Sequence, residues 1–409
     1  MSNSLLNISM ITRKALMELR SNLAFTAGVN RQYDGEFSKD GAKIGSVINI
    51  RKPVRHTVQS GKALNVQDQT DQFSPLTLDS QRHVDFQFSS QELTLNIDDF
   101  YDRYLKTAVT ALAHEIDKDG GLLYKDVPSS VGAPGTAVSS LQTALQAGQK
   151  LNENGAPVDG LRKMIVTPGS EVGFLNAGLS LFNDQKELAM QYKNGQMGRA
   201  MGFDWGMDQT LPTHSTGAVD GTPLVDTTIT TEGVATIHID GITTASITGA
   251  YKKGDVIQIA DVYGVNPQTK VSTGVLKQFV VTADADASGN EIAALAISPA
   301  IYLTGAYQNV DAYPVNGAAV TLFGAATTYT SKVSPVSLAY HRDAFVLGMA
   351  DLALPGGVDM AARASDKESG LSMRIIRDYD INNDECPCRI DVLYGWKTVY
   401  PELACRVQG

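Results

Sequence analysis

Between His214 and Ser334 the chain changes character, and this change constrains the fold more than any other feature. From His214-Ser215-Thr216-Gly217 onward it is rich in Thr, Val, Gly, Ala and Ile and poor in charge. Short runs (ATIHI, DVIQI, LKQFVVT, EIAALAI, AVTLF) are separated by Gly, Asn and Asp, which is the pattern of a small closed barrel or sandwich. Mixed helical and strand periodicity precedes this stretch and resumes at Val336-Ser337-Leu338. The expectation is an all-β domain, residues 218–334, inserted into an α+β body.

The body is organised around Asp98 to Tyr124. Tyr101, Tyr104, Leu105, Ala108, Leu112 and Ile116 recur at steps of three and four, one apolar stripe of a long helix. Asp98 is the expected N-cap, with Asp99 and Asp102 in the first turn and Gly120-Gly121 as the end signal. An earlier helix spans Ser9 to Leu23, with Ile11, Ala15, Leu16, Leu19 and Leu23 on one side. That stripe docks either on its own domain or on a neighbour.

Two alternating stretches lie between these helices. Ile44, Ile48, Ile50, Val54 and Val58 share even positions with Val47 out of step, and Leu76, Leu78, Val84, Phe86 and Phe88 form a second even set. They read as an antiparallel pair with one buried face. Gln59 to Ser74 is a polar tip, either a surface loop or an arm that reaches over another subunit.

After the long helix, a Pro/Gly/Ser loop leads to a short helix opened by Ser139 and closed at Asn154-Gly155. Lys163 to Thr167 reads as a buried strand stopped by Pro168-Gly169, Glu171 to Gly195 as mostly helical, and GFDWGMDQTLP as a strand. At the C-terminal end, Met373, Ile375, Tyr379 and Ile381 alternate, Asn382-Asn383-Asp384 turns, and Cys386, Cys388, Ile390, Val392, Tyr394 and Trp396 alternate again.

Chemistry-bearing patterns are sparse. A formal net charge of -10 over 409 residues argues against a dedicated nucleic-acid binder, and three cysteines point to a reducing compartment. No apolar run is long enough to span a membrane and no signal-peptide pattern opens the chain, so a soluble cytosolic protein is expected. The six histidines lack zinc spacing, and Cys386-Pro387-Cys388 with Cys405 reads as buried thiols. GQMGRAMG lacks the dinucleotide fingerprint. Asp284 to Gly289 resembles half of a calcium loop but has Leu295 where the bidentate Glu belongs. His341-Arg342-Asp343 stands without other kinase elements. No catalytic, metal or cofactor site is expected.

The order of parts, with three stretches, resembles the tailed-phage major capsid proteins of the Hong Kong 97 (HK97) type, and specifically the phage P22-like coat proteins. The stretches are GFDWGMDQTLPTHSTG (Gly202 to Gly217), HRDAFVLGMADLALPGG (His341 to Gly357) and GLSMRIIRDYDINNDECPCRIDVLYGWKTVYPELACRV (Gly370 to Val407). The resemblance implies an N-terminal arm (1–40), an E-loop hairpin (41–97), and a spine helix with peripheral domain (98–137). It then implies an axial domain in two parts (138–217 and 335–369), the β insert (218–334) and a return hairpin (370–409). It implies subunit contacts at Arg55, His56, Lys62, Asp68, Asp71 and Phe73, and scaffold or neighbour contacts at Ile11, Leu16, Leu19 and Leu23. Tyr104, Ala108 and Leu112 would pack the spine helix on the terminal hairpin. The implied function is a non-enzymatic shell of pentamers and hexamers around double-stranded DNA. Its implied partners are a scaffolding protein and a portal protein, and its implied place is the virion after assembly in the bacterial cytoplasm. The competing readings are a nanocompartment shell of the same fold and an enzyme with a β accessory domain.

Overall fold

The structure is a computed structural model that describes residues 8–31, 47–56, 61–62, 66, 72–89, 104–177, 198–324, 330–366 and 370–409. The chain divides into two compact units. The first comprises Met1–Ile50, Phe73–Gly120 and Phe345–Val399, and the second comprises Arg51–Gln72, Gly121–Ala344 and Tyr400–Gly409.

In the first unit the long strand Glu385–Thr398 is central. Ser80–Ser89 pairs antiparallel with it over ten residues, from Glu385 opposite Ser89 to Tyr394 opposite Ser80. Leu371–Arg377 pairs with it from Arg374 opposite Asp391 to Arg377 opposite Cys388, and Met360–Asp366 continues the sheet. Phe345–Met349 pairs with Tyr394 to Thr398. Ile390, Val392 and Tyr394 are fully buried, as their alternation requires.

Two sequence expectations are corrected here. The second even-numbered set does not form one strand facing the first. It breaks at Leu78-Asp79: Phe73–Thr77 pairs with Val47–Arg51, while Ser80–Ser89 takes the terminal strand as its partner. Alternation fixes which face is buried but not which neighbour is chosen, and the terminal strand offers the longer register. Gly395 enables the local crowding, since a Cβ there would lie 1.9 Å from the Thr77 carbonyl oxygen. The return hairpin also turns earlier than its alternation suggests. Its strand ends at Arg377, and Tyr379 and Ile381 (80% exposed) lie in a turn where the Asp380 carboxylate accepts from Asn382 N at 2.9 Å. Within the first strand, Val47 is exposed while Ile48 and Ile50 are buried, as expected; Ile44 and Val58 lie outside the described residues.

The spine helix spans Lys106–Gly121 and continues as a 3-10 turn, Leu122–Asp126. Its expected start at Asp98 to Arg103 lies outside the described residues. Tyr104 stacks edge-on against Phe88 at 4.8 Å. At the other end the Tyr394 hydroxyl donates to Asp119 at 2.6 Å, and a Cβ on Gly120 would lie 2.6 Å from the Trp396 ring. From Tyr104 to Gly120 is about 24 Å of helix. From Phe88 to Ser80, which pairs with Tyr394, is about 27 Å of strand. The helix therefore runs along this strand pair.

Asp117 ties this helix to the N-terminal one. It is 2% exposed, and its carboxylate accepts from Ala24 N at 2.6 Å, Phe25 N at 3.2 Å, Thr26 N at 3.0 Å and the Thr26 hydroxyl. Three backbone donors at the start of the 3-10 turn Thr26–Gly28 are thereby satisfied in the interior.

The second unit holds a mixed six-stranded sheet and a barrel. The sheet runs in the order Ser130–Val131, Ala404–Val407, Ser337–His341, Arg162–Val166, Phe203–Met207, Arg199–Ala200. The helix Leu141–Glu153 buries Ala144, Ala147 and Leu151 in the core of this sheet. Its N-cap is Ser140, one residue later than expected, accepting from Gln142 N at 3.2 Å. Pro168 stops the strand as expected and also starts the helix Pro168–Asn176, with Thr167 as N-cap. Residues 178–195 of the stretch read as mostly helical lie outside the described set.

The barrel strands follow the order Val320–Leu322, Val256–Val265, Ser272–Val281, Ile292–Ile301, Val234–Asp240, Leu224–Val225. The two outer strands meet through a Leu224–Ala319 bridge and bonds from Val225 N to Ala318 O (2.9 Å) and Val320 N to Pro223 O (2.8 Å). The sheet is thus closed around its own apolar core, including Ile257, Ile259, Phe279, Val281 and Leu295. Closure satisfies both edges, which suits a stretch so poor in charge. The architecture is the expected α+β body carrying an inserted β barrel.

Candidate functional site

The first candidate surface is the arm Val47–Arg51 with Phe73–Thr77. Alternation buries Ile48, Ile50 and Leu76 and turns Val47 and Phe73 outward, with Phe73 62% exposed. His56 and Lys62 are exposed, while Asp68 and Asp71 lie outside the described residues. Arg55, expected at a subunit contact, is engaged within its own chain. Its guanidinium forms an ion pair with Glu402 and sits 5.9 Å from the Tyr307 ring centre. A planar cation meets a carboxylate and an aromatic face here, so Arg55 is fastened within the second unit.

The second candidate is the N-terminal helix, Ile8–Asn22. Leu16, Leu19 and Leu23, expected to meet a scaffold or neighbour, are buried, and Ile11 is half-buried. The helix packs on strands Met360–Asp366 and Leu371–Arg377, and Arg20 reaches Asp366 at 3.2 Å. Its three- and four-residue spacing makes one continuous stripe, and the chain's own sheet covers it. The outward side carries Arg13 and Met17, the latter 72% exposed.

The spine residues form a third group. Ala108 and Leu112 are buried with Leu105, Val109, Ala113 and Ile116, whereas Tyr104 keeps 41% of its surface exposed while holding Phe88.

Sequence reasoning missed a fourth group, at the neck where the barrel joins the body. Entry strand Thr213–Ser215 and exit strand Val333–Pro335 pair antiparallel, with His214 opposite Ser334. The Tyr124 hydroxyl lies 2.9 Å from His214 Nδ1, and His214 Nε2 lies 2.8 Å from Asp255 Oδ1. The other Asp255 oxygen accepts from Gly217 N (3.0 Å) and Lys252 N (2.8 Å). Arg406, 1% exposed, places its guanidinium 5.2 Å from the Tyr124 ring and donates to the Gly254 carbonyl. Burial pushes the Tyr124 phenol up to about 12 and draws Arg406 down to about 10. Burial likewise lowers His214, with Arg406 and Lys125 adding to it and Asp255 opposing. Beside this cluster Gln278 acts as a peptide mimic: its Oε1 accepts from Ser130 N at 2.9 Å and its Nε2 donates to Ser130 O at 2.8 Å.

The remaining motifs have structural uses. Asp284 and Asp286 accept from Lys253 N and Gly249 N, each at 2.6 Å, which spends the carboxylates on backbone donors. His341 Nε2 lies 3.1 Å from both oxygens of Asp159. Cys388 and Cys405 are buried, their thiols raised by burial to about 11 and 12. Among the described residues no three His, Cys, Asp or Glu side chains are grouped to hold a metal, and no helix is long and apolar enough to cross a membrane.

No curated protein matches the chain by sequence. Solved structures do. The chain is 15% identical to one titled Mycobacterium phage Che8, covering 94% of this chain and 90% of that one, with a TM-score of 0.48. The capsid of Ralstonia phage GP4 is 8% identical, with 94% and 88% covered and a TM-score of 0.46. The CUS-3 coat protein I-domain is 24% identical over 26% of this chain and 99% of its own length, with a TM-score of 0.19. The family described as "P22 coat protein - gene protein 5" matches residues 50–408, from the arm through the barrel to the terminal strand. By that match the chain belongs to the P22 coat protein family, the coat proteins that form the phage head.

Proposed function

We propose that copies of this chain assemble as pentamers and hexamers into an icosahedral procapsid, which then matures around the double-stranded DNA of a short-tailed phage. A scaffolding protein guides assembly in the bacterial cytoplasm, and a portal protein occupies one vertex. The family match across residues 50–408 carries this reading. The acidic balance, -10 overall, also supports it, because a strongly basic lining would hold packaged DNA by counterion release.

The contacts divide by what each surface has left to offer. Phe73, Val47, His56 and Lys62, with Asp68 and Asp71, meet the adjacent subunit, while Arg55 is held by Glu402 of its own chain. The scaffold or neighbour meets the Arg13 and Met17 side of the first helix, since Leu16, Leu19 and Leu23 are already covered. Each contact is weak alone, and repetition over the shell stabilises the whole. The seven-part division drawn from the sequence describes how these surfaces are distributed. A nanocompartment shell is the second reading, and the barrel favours the phage assignment over it.

Electron microscopy of the expressed protein, with and without its neighbouring genes, tests this. Closed shells that require a co-expressed scaffold are the expected result, and persistent monomers under both conditions would rule it out. Proteolysis adds a second arm: Gln59 to Ser74 is cut in the free subunit and protected in shells, and equal cutting would exclude an intersubunit arm.

A further inference from the structure

The neck places a neutral imidazole where one of its neighbours, the Tyr124 hydroxyl, requires neutrality. His214 Nδ1 faces the Tyr124 hydroxyl at 2.9 Å and Nε2 faces a carboxylate at 2.8 Å. An arrangement that satisfies both has Nε2–H donating to Asp255 and the Tyr124 O–H donating to Nδ1. A second ring proton would sit on Nδ1, against the phenolic hydrogen. The hydroxyl would have to turn away, leaving a buried donor without its acceptor. We propose that His214 is a proton-operated latch: neutral, it fixes the barrel to the body, and protonated, it loosens the neck.

The groups facing it come from four elements. The 3-10 turn Leu122–Asp126 supplies Tyr124, Lys125 and Asp126. The terminal strand Ala404–Val407 supplies Arg406, whose guanidinium is buried beside Tyr124. The barrel loop supplies Lys252 and Asp255, and Lys252 Nζ reaches the Ser215 hydroxyl at 3.3 Å. Just before the exit strand lies Lys332, whose carbonyl accepts from Thr216 N and whose N–H donates to the Thr216 hydroxyl. Asp255 is the acid in hydrogen-bond contact with the ring, and its second oxygen is already held by Gly217 N and Lys252 N. A proton on His214 therefore perturbs the carboxylate that organises both ends of the barrel entrance. Gly254 shows how close the parts lie, since a Cβ there would be 3.2 Å from His214 Cε1 and 3.1 Å from Lys125 Cγ.

The direction follows from linkage. His214 is lowered from its ordinary value, so its contribution is complete above about pH 6.5 and is lost as the pH falls below it.

Hydrogen exchange on the full-length protein tests the latch. Two peptides report on the neck, one spanning residues 213–222 and one spanning 250–258, with the barrel strand Ile292–Ile301 as internal control. After correction for intrinsic rates, neck protection should fall by about tenfold per pH unit below about pH 6.5 while the control stays level. Protection that stays flat, or that falls equally in the control, overturns the proposal. His214→Gln should abolish the slope, and an unchanged slope in that variant is likewise fatal. Should His214→Gln lose the control strand's protection, Tyr124→Phe decides. It removes the donor that favours the neutral ring and brings the closed-state value back toward the ordinary one, so the fall must start at the same pH but level off sooner and be smaller in total, and an undiminished fall refutes the latch.

Discussion

The barrel and the terminal sheet are both built from long antiparallel strands, yet they treat their edges in opposite ways. The barrel joins its outermost strands through Leu224 and Ala319 and surrounds its own core. The terminal sheet shows no such closure among the described residues: Ser80–Ser89 takes Glu385–Thr398 as its partner, and half of its side chains are exposed. A closed sheet satisfies its backbone by itself, whereas an open one relies on what covers it. Here the covering is the spine helix and the N-terminal helix, joined by one buried carboxylate, Asp117.

The largest test of this contrast is excision. Residues 218–334 expressed alone should fold and give a dispersed amide spectrum, because barrel closure and core are internal to that stretch; a collapsed spectrum would break the comparison. Next comes Asp117→Ala, which leaves two buried backbone donors and one part-buried donor unpaired, at about 1–3 kcal/mol for each buried one and about 4 kcal/mol in all. Single-tryptophan variants would locate the loss, since Trp396 reports the first unit and Trp205 the second. A lowered denaturation midpoint at Trp396 is expected, and an unchanged one would show that the helices cover the sheet without their clamp. Leu295→Ala, fully buried in the barrel, should cost about 3 kcal/mol and leave the Trp396 transition where it was. Coupled shifts of both transitions would mean that the barrel is not self-contained.

Smaller effects sharpen the picture. Arg55→Ala breaks a half-exposed ion pair and should change subunit stability by less than about 1 kcal/mol while altering shell yield. A large stability loss would instead make Arg55 part of the folded core. Smallest of all, a thiol reagent at pH 8 should leave Cys388 and Cys405 unmodified, since burial raises both thiols well above that pH. Rapid labelling of either, read by mass spectrometry, would mean that these strands open far more readily than a packed core does.

Local rules made much of this readable in advance. The even-numbered faces, the two helical stripes and the change of character at His214 each lie within one window of sequence, and each corresponds to a packed element. Partner choice did not, because the alternation of Leu76 to Phe88 is equally compatible with one strand or two. The neck was illegible for a related reason: Tyr124, His214, Asp255 and Arg406 share no window, and only the fold assembles them. Asp117 was within reach, since it follows Ala113 by four residues and so falls on the buried stripe. Arg55 carried no such signal, as nothing in its surroundings announces Glu402 or Tyr307 as partners.

One consequence of the neck concerns exchange of parts. Entry residues Thr213–Ser215 and exit residues Val333–Pro335 are hydrogen-bonded neighbours, so their backbones stand about 4.8 Å apart. To the rest of its unit, everything between them is equivalent to the tip of a hairpin, a junction that a two-residue turn can also close. Module swapping, shortening or replacement by a foreign domain is thereby geometrically open at this point. The fastenings at His214, Ser130 and Arg406, and the Arg55–Tyr307 contact, would have to be dismissed or redesigned.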